Sequence, residues 1–471
     1  MKRISLLLMG LISAIVLSGQ PWTQELPANK SKEELTLFDY QKAFENYWEP
    51  FNLERGYYIN EDGNKQKASG WKHFKRWEYY WEFGVDARTG KFPKVNPITV
   101  VKEWEQLRNS KAAKNADWQL VGPTSSSGGY AGVGRINTIA FHPTDTDTYW
   151  IGAPSGGVWK TTDNGATWTC LTDHNAVLGI SDILIPDDYA TSNTIYIATG
   201  DRDGWDNNSI GVLKSTDGGQ TWNTTGLTFN IGSGDMVSRL LQHPTDPNTI
   251  IAATTDGVMK TTDGGVTWDD RLSYSYFIDL EHKPGDFDTF YGAKTNGQIY
   301  TTTDAGENWT RVLNSGGDRI ELAVTPDDPT LVYALVSNNQ GGLKGIYKSS
   351  NSGASYPMIY DGSVSGNNLL GWDNGGDDGG QGWYDLAIAA SPTNADIVLI
   401  GGINTWKSTD GGNTWDMENH WTGSYGAQAV HADKHMLKYR ENGDLFECND
   451  GGVYISDSDG NSYSLTDKTN G

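Results

Sequence analysis

Residues 161–168 read TTDNGATW, and the pattern Ser/Thr-x-Asp-x-Gly-x-x-Trp that they contain returns along the rest of the chain. Five intact copies occupy residues 161–168, 215–222, 261–268, 302–309 and 408–415. Two degenerate copies, at residues 349–356 and 456–463, keep the frame but end in Tyr356 and Tyr463. The third positions of successive copies are 41 to 59 residues apart. Seven copies at this spacing predict seven repeats of one supersecondary unit.

Each repeat predicts four short strands separated by turn residues. In the first repeat we expect strands at residues 136–141, 148–152, 157–161 and 167–171. The same order returns at residues 237–243, 249–253, 257–261 and 267–272. Four-stranded units of this length are blades of a β-propeller. The sequence therefore predicts an all-β, seven-bladed β-propeller.

The repeated segment resembles the Asp box, or BNR repeat, of the sialidase-like propeller superfamily, where it forms the turn between the third and fourth strands of a blade. The resemblance implies a structural role for its aspartates and tryptophans. Aspartate can accept hydrogen bonds from turn amides, glycine allows the unusual backbone angle, and tryptophan packs against its neighbours. The residues concerned are Asp163, Trp168, Asp217, Trp222, Asp263, Trp268, Asp304, Trp309, Asp410 and Trp415.

The first 19 residues have the features of a secretory signal peptide. Lys2 and Arg3 precede an apolar run over residues 4–17, which is too short to span a bilayer comfortably. Gln20 stands where a lipoprotein signal would carry its lipid-bearing cysteine. We therefore expect a secreted or cell-surface protein without membrane insertion after signal removal, with an N-terminal membrane anchor as the alternative.

Two regions of different charge follow the signal. Residues 20–116 carry 16 basic and 14 acidic side chains, a net charge of +2, and show helical spacing of apolar residues at 37–48, 71–81 and 100–107. Phe74, Trp77 and Trp81 form one stripe, which we expect to pack on the neighbouring domain. Residues 117–471 form the predicted propeller and carry −27, because the overall charge is −23 and the signal and residues 20–116 contribute +2 each. A charge of this sign disfavours nucleic acid as a partner.

The two cysteines, Cys170 and Cys448, lie far apart in the sequence. Export would permit a disulfide, but spacing alone does not show the geometry that a bridge needs. Two unpaired cysteines are the favoured interpretation, and pairing stays open.

The predicted strand order places the box turns at one end of the propeller. The loops between second and third strands, and the segments leading into the innermost strands, lie at the opposite end, and loops of this kind often carry function. Carboxylates and aromatic rings there are typical of surfaces that bind sugars, although solvated turns explain many of the same residues. The catalytic candidates are Asp201, Asp203, Asp385, Asp433 and Asp450. The ligand-binding candidates are Tyr130, Arg135, Trp205, Trp383, Tyr384, His431 and His435.

A metal site is a weaker hypothesis. On a strand, His431, Asp433 and His435 would share one face, which suits a ligand set or a hydrogen-bonded polar cluster equally. Asp201, Asp203 and Asp206 could bind calcium, but their spacing departs from the EF-hand loop. We expect that no cofactor is required and that calcium or another divalent ion is an option.

More narrowly, the chain resembles the xyloglucanase-like glycoside hydrolases of family 74. The likeness lies in the segments 118–121 (WQLV), 128–130 (GGY), 139–143 (IAFHP) and 156–159 (GGVW). The family uses two carboxylates, one on each of two propellers, and one of them is an aspartate just before the Gly-Gly of the first blade. Pro154 and Ser155 occupy that place in this chain. The 118–121 segment looks like a fourth strand that precedes the first blade, and it either caps an edge or belongs to further propeller.

The resemblance implies a propeller that binds or hydrolyses an extracellular polysaccharide or glycan. Two alternatives come from other propellers with the box. A sialidase-like site would use Arg135, Arg239 and Arg319 to clamp a carboxylate, although the sialidase Arg-Ile-Pro signature appears here only as residues 135–137 (RIN). A sortilin-like propeller would be non-catalytic and would bind protein or peptide partners, or serve in assembly or adhesion.

Overall fold

The structure, a computed structural model, describes residues 21–60, 63–93, 97–110, 122, 124–127, 129–231, 233–273, 275–456 and 465–469. The expected signal peptide, the boundary at residues 116/117 and the 118–121 segment lie outside these residues, as does most of the seventh box. The chain divides into two compact units, one up to residue 93 and one from residue 94. No helix in the described ranges is long and apolar enough to cross a membrane.

The first unit is mainly helical. It contains the helices α1 (Leu37–Trp48) and α2 (Trp71–Glu82), the short hairpin of β1 (Tyr57–Ile59) and β2 (Lys65–Lys67), and three 3-10 turns at Pro21–Glu25, Lys32–Glu34 and Glu49–Phe51. Helix α1 begins after Thr36, whose hydroxyl accepts a hydrogen bond from Asp39 N at 3.2 Å. This cap satisfies one of the free amides of the first turn.

The apolar stripe of α2 forms the core of this first unit. Phe74 stacks on Phe44 of α1, with ring centroids 4.0 Å apart, and contacts Trp22 at 4.9 Å. Trp81 is buried and packs edge-on against Phe92 at 5.0 Å. The expectation that the stripe packs on a neighbouring domain is therefore corrected, because Phe74 and Trp81 are buried, and half-buried Trp77 also packs, among aromatic residues of their own unit.

The second unit begins with α3 (Pro97–Ser110) and contains a seven-bladed β-propeller. The first three blades are β3 (Thr138–Phe141), β4 (Tyr149–Ala153), β5 (Gly157–Thr161) and β6 (Thr169–Cys170); β7 (Ile180–Leu184), β8 (Ile195–Thr199), β9 (Val212–Ser215) and β10 (Asn223–Thr224); and β11 (Val237–Gln242), β12 (Ile250–Thr254), β13 (Gly257–Thr261) and β14 (Asp269–Ser273). A short helix, α4 (Tyr189–Ser192), connects β7 to β8. The strands predicted for the first and third blades are confirmed to within three residues at each boundary.

The remaining blades follow the same order. They are β15 (Phe277–Lys283), β16 (Asp286–Lys294), β17 (Gln298–Thr302) and β18 (Thr310–Asn314); β19 (Ile320–Val324), β20 (Val332–Ser337), β21 (Leu343–Ser349) and β22 (Met358–Asp361); β23 (Ala387–Ala390), β24 (Val398–Gly401), β25 (Thr405–Ser408), β26 (Asp416–His420) and β27 (Gln428–Ala429); and β28 (Lys434–Tyr439), β29 (Leu445–Asn449), β30 (Gly452–Ser456) and β31 (Thr466–Asp467). Every pairing within a blade is antiparallel except that β27 adds to β26 in parallel, which gives the sixth blade a fifth strand.

The ring closes between the seventh and first blades. The innermost strands contact one another in chain order, and β28 contacts β3. Phe446 of β29 lies 4.9 Å from Phe141 and 5.2 Å from Tyr149, measured between ring centroids. Trp168 Nε1 donates to Lys468 O at 3.0 Å. The closed ring is therefore held by aromatic packing and a hydrogen bond between blades, while the sheets themselves stay separate.

The box turns lie between third and fourth strands, where their aspartates accept local hydrogen bonds. Asp163 Oδ1 accepts from Thr167 N at 2.8 Å, and its Oδ2 accepts from Thr167 Oγ1 at 2.7 Å. Equivalent bonds hold the other four intact boxes. Hydrogen bonds from the residue four positions later lower the pKa of Asp217, Asp263, Asp304 and Asp410 to about 2. The box carboxylates are therefore charged anchors of their own turns.

The tryptophans of the boxes anchor the same turns. The indole Nε1 of Trp268, Trp309 and Trp415 donates to the glycine carbonyl three residues earlier, at 3.0 to 3.2 Å. Trp222 instead reaches the preceding blade and donates to Leu171 O at 3.1 Å. In the degenerate fifth box, Asn351 replaces the aspartate and still accepts from Ser355 N at 3.0 Å.

Both cysteine thiols are free in the structure. Cys448 is buried in β29, and burial raises the pKa of its thiol. Burial also raises the pKa of the half-buried Cys170 thiol. The favoured interpretation of two unpaired cysteines agrees with this arrangement.

Candidate functional site

The end of the propeller opposite the box turns, called here the distal end, carries a continuous polar network. Because blade strands alternate in direction, the second-to-third strand loops and the segments leading into the innermost strands meet there. Arg135 precedes β3, and its guanidinium pairs with Asp201 from the loop after β8. Arg135 Nη1 also donates to the Tyr384 hydroxyl at 3.0 Å. Tyr384 in turn donates to Asp450 Oδ1 at 2.9 Å, so the network joins four blades.

His435, near the start of β28, lies at the centre of this network. Its Nδ1 is 3.0 Å from Asp203 Oδ2, and its Nε2 is 2.8 Å from Asp450 Oδ1. Although burial alone would lower the pKa of His435, the hydrogen bonds to Asp203 and Asp450 raise it to about 9. His435 is thus an imidazolium that donates to two carboxylates at neutral pH.

The same network holds Asp203 firmly in its charged form. Arg319 Nη2 donates to Asp203 Oδ1 at 2.7 Å and to Glu321 at 2.8 Å. Although burial opposes ionisation of Asp203, the charges of Arg319 and Arg202 keep the pKa of this carboxyl far below its usual range. Asp203 is fully buried and saturated by partners, so it positions His435 and does not reach the surface.

A second pair of acids lies beside His435. Asp385 is completely buried, and its carboxyl meets that of Asp433, while no other described side chain donates a hydrogen bond to it. Burial and then the neighbouring Asp433 raise the pKa of Asp385 well above its usual value. Burial and the charge of Asp450 also raise the pKa of Asp433. Gln381 Nε2 donates to Asp433 Oδ1 at 3.1 Å, which fixes the orientation of that carboxyl.

The pKa of Asp450 shifts in the opposite direction. Although burial opposes its charge, hydrogen bonds from His435 and Tyr384 lower the pKa of Asp450. Its side chain remains 26% exposed, and Asp433 is also partly exposed. Of the five catalytic candidates, Asp201, Asp203 and Asp385 are fully buried, so only Asp433 and Asp450 can meet a substrate.

The predicted aromatic residues lie on the segments and loops of the distal end. Trp383 is partly exposed and its ring lies 5.6 Å from that of Tyr384. Trp205 is exposed on the second blade and packs edge-on against Tyr276 at 5.3 Å. Tyr130 is exposed on the segment that precedes Arg135. Trp205 N donates to Asp201 O at 3.0 Å, whereas no side-chain hydrogen bond among the described residues joins the ring of Trp205 or Tyr130 to the central network.

The predicted single-faced strand through His431, Asp433 and His435 is wrong. Strand β28 begins only at Lys434, and Asp433 has a left-handed backbone with φ 65°. Both nitrogens of His435 are occupied by carboxylates, and His431 Nδ1 lies 3.2 Å from Ala432 O. Across the described ranges, no group of three or more histidine, cysteine, aspartate or glutamate side chains has a geometry that could hold a metal ion.

The three arginines considered as a carboxylate clamp are already paired. Arg135 pairs with Asp201, Arg319 with Asp203, and Arg239 Nε donates to Asp279 Oδ1 at 2.8 Å. Arg239 lines a cavity of about 670 Å³, which is also lined by loops between first and second strands at the box-turn end of the propeller. The arginines therefore neutralise internal acids and do not converge on an external anion.

Sequence reasoning missed several supporting residues. Glu321 accepts from Arg319 and Arg202, and Gln381 orients Asp433. The alternation of Arg319 and Glu321 at the start of an otherwise apolar innermost strand was an available signal for the first of these. Gln381 lies in a long irregular connection, where no periodic pattern marks it.

Pro154 and Ser155, in the loop between β4 and β5, occupy the place where the resembled family has an aspartate. Ser155 Oγ accepts from Asn207 Nδ2 at 2.7 Å, which ties this loop to the second blade. Neither a proline ring nor a neutral hydroxyl can act there as a general acid or base.

No protein-family model matches the chain. The xyloglucanase Xgh74A of Acetivibrio thermocellus is 26% identical over 378 residues, which cover 64% of this chain and 40% of that protein. A xyloglucanase of a Paenibacillus species is 26% identical over 336 residues, which cover 60% of this chain and 31% of that protein. The chain thus spans less than half the length of the curated relatives that it matches.

Solved structures agree on the fold. The GH74 enzyme of Niastella koreensis superposes with a TM-score of 0.53 and 18% identity, covering 72% of this chain and 54% of that one. The GH74 xyloglucanase of Xanthomonas campestris superposes with a TM-score of 0.52 and 18% identity, covering 70% and 53%. The comparisons therefore confirm the resemblance to xyloglucanase-like propellers that the sequence predicted.

Proposed function

We propose that the chain hydrolyses an extracellular polysaccharide at its distal end, with Asp433 as general acid and Asp450 as general base. The observation that carries the proposal is that the pKa values of these two neighbouring, partly exposed carboxyls shift in opposite directions, upwards for Asp433 and downwards for Asp450. Glycoside hydrolysis needs one protonated and one charged carboxyl at the same bond. The similarity to proteins named xyloglucanase makes xyloglucan the first substrate to test.

Each of the two proton transfers in the reaction would use one of these carboxyls. Asp433 would give its proton to the glycosidic oxygen as the bond from the anomeric carbon to that oxygen breaks. Asp450 would take a proton from the water that attacks the anomeric carbon, which leaves one new reducing end per bond cleaved. His435 keeps Asp450 charged before the reaction, and Gln381 orients the acid.

A non-catalytic propeller that binds polysaccharide, or a protein or peptide partner, is the second candidate. It is favoured by Pro154 and Ser155, which occupy the place where the resembled family has a catalytic aspartate. In this case the polar network would serve only to keep the distal end of the propeller rigid and acidic.

Reducing-end release from xyloglucan by the full chain separates these candidates. We expect release by the unaltered protein and a loss of at least a hundredfold in Asp433→Asn and in Asp450→Asn. Asp444→Asn is the matched control, because Asp444 is exposed to a similar degree (21%) but pairs with Arg440 at the opposite end. Binding without release, unaffected by either substitution, would overturn the hydrolase proposal and support the second candidate.

A further inference from the structure

Asp385 is a buried acid to which the proposed reaction gives no part. It lies just before β23 and is completely buried. Its carboxyl meets that of Asp433, and no other described side chain donates a hydrogen bond to either of its oxygens. A carboxylate without donors is costly to bury, so a proton is the group that can satisfy these oxygens.

One turn of the chain presents two polar groups to Asp433. Asp385 N donates to Gln381 O at 3.0 Å, which closes this turn. Gln381 Nε2 donates to Asp433 Oδ1 at 3.1 Å, and the carboxyl of Asp385 meets the same side chain. Asp433 is therefore held by a fixed amide donor and by a buried carboxyl. We call Asp385 and Asp433 the carboxyl pair.

The backbone around Asp433 places its side chain. Asp433 has a left-handed backbone with φ 65°, a conformation that the short polar side chain of aspartate tolerates better than most. Lys434 N donates to Gly402 O at 2.8 Å, and Asp450 N donates to Ala432 O at 3.3 Å. The position of Asp433 is therefore set by backbone hydrogen bonds of the residues on both sides of it.

Two buried cations lie near the carboxyl pair, but each is committed to other partners. Lys434 Nζ donates to two backbone carbonyls, at 2.8 and 3.0 Å, and pairs with Glu447 at 3.7 Å. His435 uses both ring nitrogens on two other carboxylates. Among the described residues, no ion pair therefore reaches the carboxyl pair. Two acids in contact without a counter-ion favour a single shared proton.

The shifts in pKa agree on which acid holds that proton. Burial raises the pKa of both members of the carboxyl pair. The hydrogen bond between them adds to the rise at Asp385 and opposes the rise at Asp433, as expected when Asp385 donates and Asp433 accepts. The proton therefore stays on Asp385 when Asp433 is charged.

We propose that Asp385 is the positioning residue of the acid, which keeps its own proton at neutral pH and donates a hydrogen bond through it to Asp433. The role of Asp433 as acid rests on the proposed function, but the proton on Asp385 does not need a substrate. When the O–H bond of Asp433 breaks and its proton passes to the glycosidic oxygen, a carboxylate remains. The O–H of Asp385 stabilises this new charge, and water returns a proton to Asp433 after the reaction.

The first test detects the proton of Asp385 and needs no substrate. Infrared spectra of the full chain at neutral pH should show a protonated aspartate carboxyl that is absent from Asp385→Asn. Isotopic labelling of aspartate separates it from Glu281 and Glu418, whose pKa values burial raises to about 8 and about 7. Asp279→Asn should keep the band, because Asp279 is equally buried but accepts from Arg239 at 2.8 Å. The same band in folded Asp385→Asn would overturn the proposal.

The second test separates positioning from support of the fold. Asp385→Leu fills the buried site but removes the donor, so the pKa of Asp433 should rise. The falling limb of kcat/KM on xyloglucan should then move to higher pH by about one unit. We also expect kcat to fall about tenfold, because the charged form of Asp433 loses a hydrogen bond. Asp385→Asn, whose amide can donate in place of the O–H, should move the limb much less.

Each outcome of the second test supports or contradicts the proposal. Thermal unfolding shows whether each variant is folded. An unmoved limb in folded Asp385→Leu, or an equal movement in Asp385→Asn, would show that Asp385 only fills space. Failure of the proposed function is distinguishable, because it appears as absent release by the unaltered chain. The infrared band still reports the proton on Asp385 in that case, and its absence would overturn the carboxyl pair.

Discussion

His435 Nε2 lies 2.8 Å from Asp450 Oδ1, which joins a fully buried imidazole to a carboxylate that is still open to solvent. On its other side, His435 Nδ1 lies 3.0 Å from the buried Asp203. The imidazolium of His435 therefore stabilises the charged form of two carboxylates, Asp203 in the propeller interior and Asp450 at the distal surface. Because the proposed base depends on this contact, stability and activity are linked through one side chain.

The first prediction concerns stability at alkaline pH. The pKa of His435 is raised to about 9 in the folded chain, above its ordinary value of 6.5. A raised histidine pKa adds stability that is fully present below the ordinary value and is lost as pH rises through the folded value. The free energy of unfolding should therefore fall by on the order of 3 kcal/mol between pH 6 and pH 10. Denaturant unfolding at several pH values measures this.

The matched variants for that prediction are His435→Gln and His174→Gln. His174 is an exposed histidine in the loop after β6, so its replacement should leave the pH dependence unchanged. His435→Gln should be less stable than the unaltered protein at pH 6 and should lose most of the slope. Equal slopes in His435→Gln and the unaltered protein would contradict the role of the imidazolium.

The second prediction concerns the pH dependence of hydrolysis. The pKa of Asp450 is lowered below the ordinary 3.8, and the pKa of Asp433 is raised above it. The base is then charged and the acid protonated only between those two values. We expect kcat/KM to form a bell in the acidic range, with its falling limb set by Asp433. Gln381→Glu, which adds a carboxylate beside Asp433, should move that limb to higher pH, whereas an unmoved limb would contradict Asp433 as the acid.

The fold could be predicted from the sequence because the box is a local device. Asp163 and Thr167 make their bonds within one turn, so the pattern marks each turn without knowledge of the rest of the chain. The strand positions followed from the turns. The stripe of α2 was misassigned because periodicity shows that a helix has a buried face but does not show which residues cover it.

The candidate site could be predicted only as a set of residues at one end. Arg135 meets residues 66 and 249 positions away, and His435 meets Asp203 across 232 positions, so no local pattern reports these pairs. The left-handed backbone at Asp433 broke the expected strand alternation. Burial then separated Asp433 and Asp450 from the three acids that no substrate can reach.

The third prediction tests the box turns. Asp410 Oδ1 accepts from Thr414 N at 2.9 Å, and its Oδ2 accepts from Thr414 Oγ1 at 2.7 Å. Asp410→Ala removes both bonds and should cost about 1 kcal/mol of unfolding free energy, as loss of a helix cap does. Asp410→Asn should cost much less, because Asn351 makes the equivalent bond to Ser355 N in the fifth box. Equal losses in the two variants, measured by denaturant unfolding, would show that charge and not the hydrogen bond matters.

The fourth prediction tests how the ring is closed. Phe446 is completely buried between the seventh and first blades, where it contacts Phe141 and Tyr149. Phe446→Ala should cost about 3 to 5 kcal/mol, because it leaves a cavity in tightly packed aromatic residues. Phe290→Ala is the matched control, since Phe290 is equally buried but packs among residues of the third and fourth blades.

The two variants should lose similar stability but differ in where a protease cuts first. If packing between the first and seventh blades closes the ring, Phe446→Ala should open that junction and speed cleavage within residues 445–469. Phe290→Ala should leave the rate at those positions unchanged, because its cavity lies elsewhere in the ring. Limited proteolysis with mass mapping of the first cut measures the difference. The same first cut in both variants would show that the ring unfolds as one unit and that no single junction holds it closed.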